Sequence, residues 1–264
     1  MCADRLADID FVLTDIDDTL TTSGRLPGLA YQALERLHQA GIVVIPVTGR
    51  PAGWCDLIAR LWPVEAVVGE NGAFYFACSR QGGMIREFAQ SAEERREGRQ
   101  RLDRLAKTIL ASVPGARLSA DQTFREADLA IDFAEDGPRL NDAEIARIVH
   151  CFEAAGAVAK VSSIHVNGWF GRYDKLAMTR RLFSERYGLD LEKADRNVIF
   201  VGDSPNDAPM FGFFQNSIGV ANFADFFEDT VTPPKWITQK AGGAGFAEVA
   251  DAILCAKGDA RGGQ

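Results

Sequence analysis

The chain lacks any long apolar run. Its 264 residues are 47% hydrophobic and 25% charged, as expected of a globular protein, yet no stretch approaches the roughly 20 apolar residues of a bilayer-spanning helix. The opening M-C-A-D-R-L-A-D places charge where a secretion signal needs an apolar segment, so no secretion is expected and the cytoplasm is the expected location. Cysteine is sparse: five residues, an odd number, stand far apart at positions 2, 55, 78, 151 and 255. The missing C-x-x-C pair removes zinc-site and redox-couple readings and leaves reduced, mostly buried thiols. Positive charge is not in excess either. A net charge of −8 argues against general affinity for nucleic acid or an anionic membrane, while leaving room for a small anion in a local basic pocket. There is no internal repeat and no low-complexity tract.

What is present is an alternation of strand and helix signals. A strand is expected near 9–14, a helix near 28–40 after Pro27, an apolar strand over Ile42–Val47 and a helix near 52–61. Ala66-Val67-Val68 and Ala73-Phe74-Tyr75-Phe76 follow as strands around a turn at Glu70-Asn71-Gly72. After Gly82-Gly83 the texture changes to a heavily charged segment in which Leu102, Leu105, Ile109 and Val113 recur at helical spacing. Its arginines are interleaved with acids, which favours a solvated helix face over a nucleic-acid surface. A strand at 129–133, a helix near 141–155 with Asn141 as cap, and a β-rich 157–170 complete an inserted unit. Helix signals return at 174–187, then a buried strand at 197–201, short strands at 217–220 and 230–232, a closing helix at 246–256 and a frayed tail from 257. Phenylalanines at 211, 213, 214, 223, 226 and 227 read as packing of the last helices on the sheet, or else as a subunit interface. The expected class is α/β: a doubly wound parallel-sheet core over 1–82 and 168–264, interrupted by a smaller α/β cap over 83–167.

Chemistry enters at Phe11 to Thr22, where F-V-L-T-D-I-D-D-T-L-T-T runs from buried strand into three carboxylates, Asp15, Asp17 and Asp18. Side chains two apart on a strand share a side, so Asp15 and Asp17 crowd at its carboxyl end. Both can be ionised only beside a cation; otherwise one keeps its proton. The plainer alternative is an acidic turn that caps the next helix. Three further clusters follow strands or open helices: Val47-Thr48-Gly49-Arg50, Gly171-Arg172-Tyr173-Asp174-Lys175, and Gly202-Asp203-Ser204-Pro205-Asn206-Asp207. Singly these read as a turn, a surface ion pair and an Asx-turn. Jointly, at the carboxyl ends of parallel strands, they can converge on one ligand.

In that order the clusters resemble the four motifs of the haloacid dehalogenase superfamily of phosphatases and phosphomutases: Asp15-Ile16-Asp17-Asp18-Thr19, Thr48, Lys175, and Gly202 to Asp207. An insert between the second and third motifs, with Thr48-Gly49-Arg50 and Glu70-Asn71-Gly72, resembles the type-IIB or Cof-like branch, which includes sugar-phosphate phosphatases and phosphomannomutases. The resemblance covers roughly 8–80 and 168–255; the insert matches only in placement and α/β character. It implies that Asp15 is the nucleophile, Asp17 the general acid and base, and that Thr48, Gly49 and Lys175 bind phosphate. It also implies Mg²⁺ on Asp15, the Asp17 carbonyl, Asp203 and Asp207, with Asn206 orienting beside them, and a small phosphorylated substrate, foremost a sugar phosphate. A phosphomutase and a non-catalytic phosphosugar-binding protein are the alternatives. Arg50, Asn71, Arg125, Asp128, His165 and Asn167 are candidate substrate contacts, each equally readable as a surface or turn residue, and His165 as a structural histidine. Monomer and homodimer are both compatible with the sequence.

Overall fold

A computed structural model describes residues 3–79, 81–226 and 232–262. Its centre is a parallel sheet in the order β12 (Trp236–Ile237), β11 (Ser217–Gly219), β10 (Val198–Gly202), β1 (Phe11–Thr14), β2 (Val43–Pro46). Successive side chains of a strand face opposite ways, and both faces here are covered. Val12, Val44, Ile199 and Val201 pack with Leu34, Leu37, Phe246 and Ile253, beneath α2 (Gly28–Gln39) and α9 (Gly242–Gly262), with α1 (Ala3–Ala7) against α9. Leu13, Ile45 and Phe200 face the other way into Met178, Leu182, Phe211 and Phe214, contributed by α6 (Lys175–Leu182) and α8 (Ala208–Phe213) with the residue after it. Phe223 is buried in the same cluster, so these phenylalanines serve core packing; Phe227 lies outside the described residues. The helix α7 (Leu191–Ala194) leads into β10.

On the far side of α3 (Ala52–Leu61) runs an antiparallel trio, β3 (Val67–Gly69), β4 (Phe74–Cys78) and β5 (Met84–Phe88), joined to the main sheet by a parallel bridge between Val47 and Val68. Beyond it, α4 (Ala92–Ser112) and α5 (Asp142–Ala154) pack on an antiparallel sheet ordered β6 (Arg117–Leu118), β7 (Leu129–Asp132), β9 (His165–Trp169), β8 (Val158–Val161). Both helices start on capping boxes, Ser91 with Glu94 and Asn141 with Glu144, which satisfy backbone N–H groups otherwise left open. Leu102, Ile109, Ile131, Ile148 and Phe152 form their separate core.

Two expectations need adjustment. The sequence reading ends the first core segment at 82, but β5 is paired to β4 along its whole length, and Phe170 packs in the insert's core; we propose boundaries near residues 90 and 170. The frayed tail expected from 257 is instead the end of α9, which runs to Gly262. The strand expected at 230–232 falls partly outside the described residues. Among the described residues, no helix is long and apolar enough to cross a membrane.

Candidate active site

Asp15 follows β1 directly, and its N–H extends the ladder to the Val201 carbonyl at 2.9 Å. Asp203 follows β10, the parallel neighbour in register with β1, so the two carboxylates leave the sheet side by side. Asp207 lies one tight turn further and accepts the Asp203 N–H at 3.2 Å. Gly202 permits that turn, because a Cβ there would collide with the Asp207 carboxylate. Lys175 opens α6, whose start is capped by the Asp174 side chain accepting from Ala177 N–H at 2.7 Å. The Glu70-Asn71-Gly72 turn presses against this same point: Gly72, at φ +102°, leaves no room for a Cβ against the Asp174 backbone.

The result is a buried charge cluster. Lys175 Nζ donates to Asp15 Oδ1 at 2.8 Å and to Asp207 Oδ1 at 2.7 Å, and oxygens of Asp15, Asp203 and Asp207 all lie within 4.8 Å of one another. One ammonium faces three carboxylates. Burial pushes Asp15 up to about 7, offset by Lys175 and reinforced by Asp207. Burial, with Asp15 and Asp207 adding repulsion, likewise raises Asp203 well above the carboxylate range. For Lys175, burial works against the charge, but Asp15 and Asp207 outweigh it and hold the ammonium protonated beyond its usual range. Among the described residues the Asp203 carboxylate meets no cation. It accepts only from Thr19 Oγ1 at 3.3 Å and Asn222 Nδ2 at 3.5 Å. Three buried carboxylates against a single ammonium leave two negative charges unbalanced, which fits a hard divalent cation such as Mg²⁺.

Asp17 stands apart from this cluster. Its carboxylate is gripped in a fork by Arg50, with Nε at 2.9 Å from Oδ2 and Nη2 at 2.7 Å from Oδ1. Arg50 is itself buried, stacks on Trp54 with 4.5 Å to the ring centroid, and reaches the insert through Glu135 at 3.0 Å and Asp121 at 3.5 Å. Glu135 in turn lies 2.8 Å from His165 Nε2, and His165 together with Arg50 holds it below the usual carboxylate range. Burial opposes the Arg50 charge, but Asp17 and Glu135 more than compensate.

The remaining predicted residues separate by environment. Gly49 and Asn206 line a small cavity with Asp15, Asp17 and Asp203, closed from the insert side by Ser163, His165 and Asn167. Thr48 is fully buried and its hydroxyl accepts from Arg50 N–H at 3.1 Å. Asn71, at φ +54°, has its amide packed against Gly49. Arg125 is committed elsewhere: it pairs with Asp121 and Asp128, both at 2.9 Å, and donates to the Gly49 carbonyl at 3.0 Å. Asn167 donates to Asp128 at 3.1 Å. These contacts tie insert to core through Arg125.

Residues 12–92 match the family model of the haloacid dehalogenase-like hydrolases. A Thermoplasma acidophilum protein superposes with TM-score 0.70 over 93% of this chain and 98% of its own, at 18% identity. The sucrose-phosphatase of Synechocystis, solved with sucrose and phosphate, gives 0.62 over 92% and 97% at 15% identity. A sugar phosphatase of subclass IIB gives 0.62 over 93% and 98% at 14% identity. Over residues 12–92 the chain is thus similar to a haloacid dehalogenase-like hydrolase. No curated protein sequence matches the chain. At these identities the structural likeness concerns the fold, and it extends to the insert as well as the core.

Sequence reasoning missed several residues of the site. Glu70 was visible as part of a turn and of the Glu70-Asn71-Gly72 signature but with no role of its own, yet its fully buried carboxylate accepts from Ala52, Glu126, Ala127 and Asp128 N–H groups at 2.6–3.1 Å. Burial and Asp128 push it up to about 7. Glu135 and Asp121 sit in cap turns without any motif. Asn222 bridges Asp203 and the Asp18 carbonyl from a segment that read only as phenylalanine-rich.

Proposed function

We propose that this protein hydrolyses phosphate monoesters of small metabolites, sugar phosphates foremost, through a phosphoryl group carried on Asp15. The observation that carries the reading is the buried Asp15–Lys175–Asp207 chain with Asp203 beside it, at adjoining ends of two parallel strands. Asp15, Asp203 and Asp207 would hold Mg²⁺, which when bound neutralises charge on the phosphoryl oxygens. Lys175 fixes the Asp15 carboxylate and adds positive charge beside the phosphoryl group. Gly49, and the Thr48 hydroxyl once it turns from the Arg50 N–H, would supply donors to the phosphate.

In the first step an Asp15 oxygen bonds to phosphorus, the ester P–O bond breaks, and the departing alkoxide takes a proton from Asp17. In the second, Asp17 takes a proton from water, the resulting hydroxide bonds to phosphorus, and the Asp15–phosphorus bond breaks to release inorganic phosphate. Asp17 can reach the leaving oxygen only once its carboxylate is freed from the Arg50 fork. The fork is shared with cap residue Glu135, so we assign Arg50 the role of releasing Asp17 as the cap rearranges around substrate. Such a rearrangement is required in any case, because the cavity over Asp15 holds only about 10 Å³, roughly one water.

The test is phosphate release from a panel of sugar phosphates, phosphoglycerates and p-nitrophenyl phosphate, with Mg²⁺ and with EDTA, for wild type and Asp15→Asn. Mg²⁺-dependent release reduced at least about 10³-fold in the variant is expected. Release without any bisphosphate primer separates hydrolysis from phosphoryl transfer between hydroxyls. No release from any compound contradicts the reading.

A further inference from the structure

Asp17 and Arg50 line not only the small cavity over Asp15 but also a second, larger one on their other side. This second cavity measures about 480 Å³, within the range of roughly 300–1,000 Å³ typical of small-molecule sites. Its walls are of one character. Trp54, Leu57, Ile58 and Trp62 come from α3 and the residue that ends it, Leu26 from the loop after β1, and Phe124 from the cap. Polar side chains enter it mainly at the Asp17–Arg50 end.

The cavity is open rather than a packing defect. Trp54, Leu57 and Phe124 are 44%, 51% and 56% exposed, a large apolar outlay for side chains that core packing does not use. It also spans the two parts of the chain. Phe124 of the cap seats on Gly53 of α3, where a Cβ would meet the Phe124 ring at about van der Waals overlap, so the fit between cap and core here is close. An occupant would therefore be covered by the same cap that closes over Asp15.

We propose that this cavity is a subsite for an apolar group, aryl or short alkyl, carried by the phosphomonoester substrate on the side of its ester oxygen. The proposal rests on the phosphomonoester reading and, within it, favours esters that carry an apolar group over the plain sugar phosphates placed first above. The floor of the cavity is the carboxylate assigned to protonate the leaving group, so an ester oxygen beside Asp17 can direct its substituent along Trp54 and Leu57. A wholly hydroxylated substituent would find few partners there and would leave its hydroxyls unpaired on an apolar wall. A second polypeptide fits less well, because the patch is concave and ends on the Asp17–Arg50 ion pair.

The probe is a series of non-hydrolysable n-alkylphosphonates from propyl to hexyl, titrated calorimetrically into the whole protein with Mg²⁺. If the tail enters the cavity, affinity rises about three- to fourfold per methylene, or about 30- to 60-fold across the series. Leu57→Asn and Phe124→Ser, at half-exposed positions and each checked for an unchanged melting temperature, reduce the gain to less than about twofold per methylene. Inorganic phosphate competes with every member. A flat series overturns the proposal, as does a steep one that ignores both substitutions or phosphate, which would place the tail elsewhere. Phosphate release from the matching alkyl phosphates is read separately: release with a flat affinity series refutes the subsite alone, while a steep series without release upholds the subsite and refutes hydrolysis.

Discussion

Lys175 is held between Asp15 and Asp207 and works to lower the proton affinity of Asp15, but burial outweighs it. The Asp15 carboxyl is raised from 3.8 to about 7, chiefly by burial. Between those values the native metal-free protein keeps a proton that the unfolded chain has released, so stability falls as pH rises from about 4 to about 7. Below about 7 a cation must also displace that proton. The melting temperature is therefore expected to rise more on adding Mg²⁺ at about pH 7.5 than at about pH 5.5, measured by thermal unfolding. Equal shifts at the two pH values would contradict the assignment of Asp15 to the metal cluster. The identities of Asp15, Lys175, Asp203 and Asp207 were legible in the sequence because each stands immediately after a strand or at the head of a helix, where local signals are strong. The Arg50 grip on Asp17 was not legible. It joins residues 33 apart in the chain and is shared with Glu135 of the insert, which no local pattern marks.

At the scale of elements, the periodic segments declared themselves and the short ones did not. The α4 stripe of Leu102, Leu105 and Ile109 is buried where helical spacing placed it, and α3 spans the residues expected. β5 was missed because its side chains are only half buried and Gly82-Gly83, both at positive φ, read as the end of a unit rather than as a hairpin turn. The Glu70 turn is the element whose importance the sequence understated most. Its carboxylate gathers three successive N–H groups of the cap segment 126–128 and one from α3. In Glu70→Gln the amide nitrogen would face two of those donors. The variant is expected to lose about 2 kcal/mol of stability, the order of leaving buried N–H groups unpaired. Urea unfolding measures this directly, and a change under about 0.5 kcal/mol would show that the anchor contributes little.

At the scale of the molecule, two ties of different kind hold cap to core. Glu70 and Arg125 form the buried one; Arg50 with Glu135 forms the one that also engages Asp17. On the mechanism proposed above, this division would let the cap move at the Arg50 rim while staying fixed at its base, and would link that movement to release of Asp17. The order of core and cap could be read from where the alternating strand and helix pattern breaks and resumes. The apolar cavity between α3 and the cap could not, since Phe124 is 70 residues from Trp54 and nothing local brings them together. The account stands or falls on Asp15 taking the phosphoryl group, and acid-quenching the enzyme during turnover of a phosphate ester, followed by proteolysis and mass spectrometry, measures that directly. A phosphoryl adduct confined to the peptide containing Asp15, absent with EDTA and in Asp15→Asn, is the predicted result. Sustained phosphate release with no adduct, undiminished in Asp15→Asn, would contradict it.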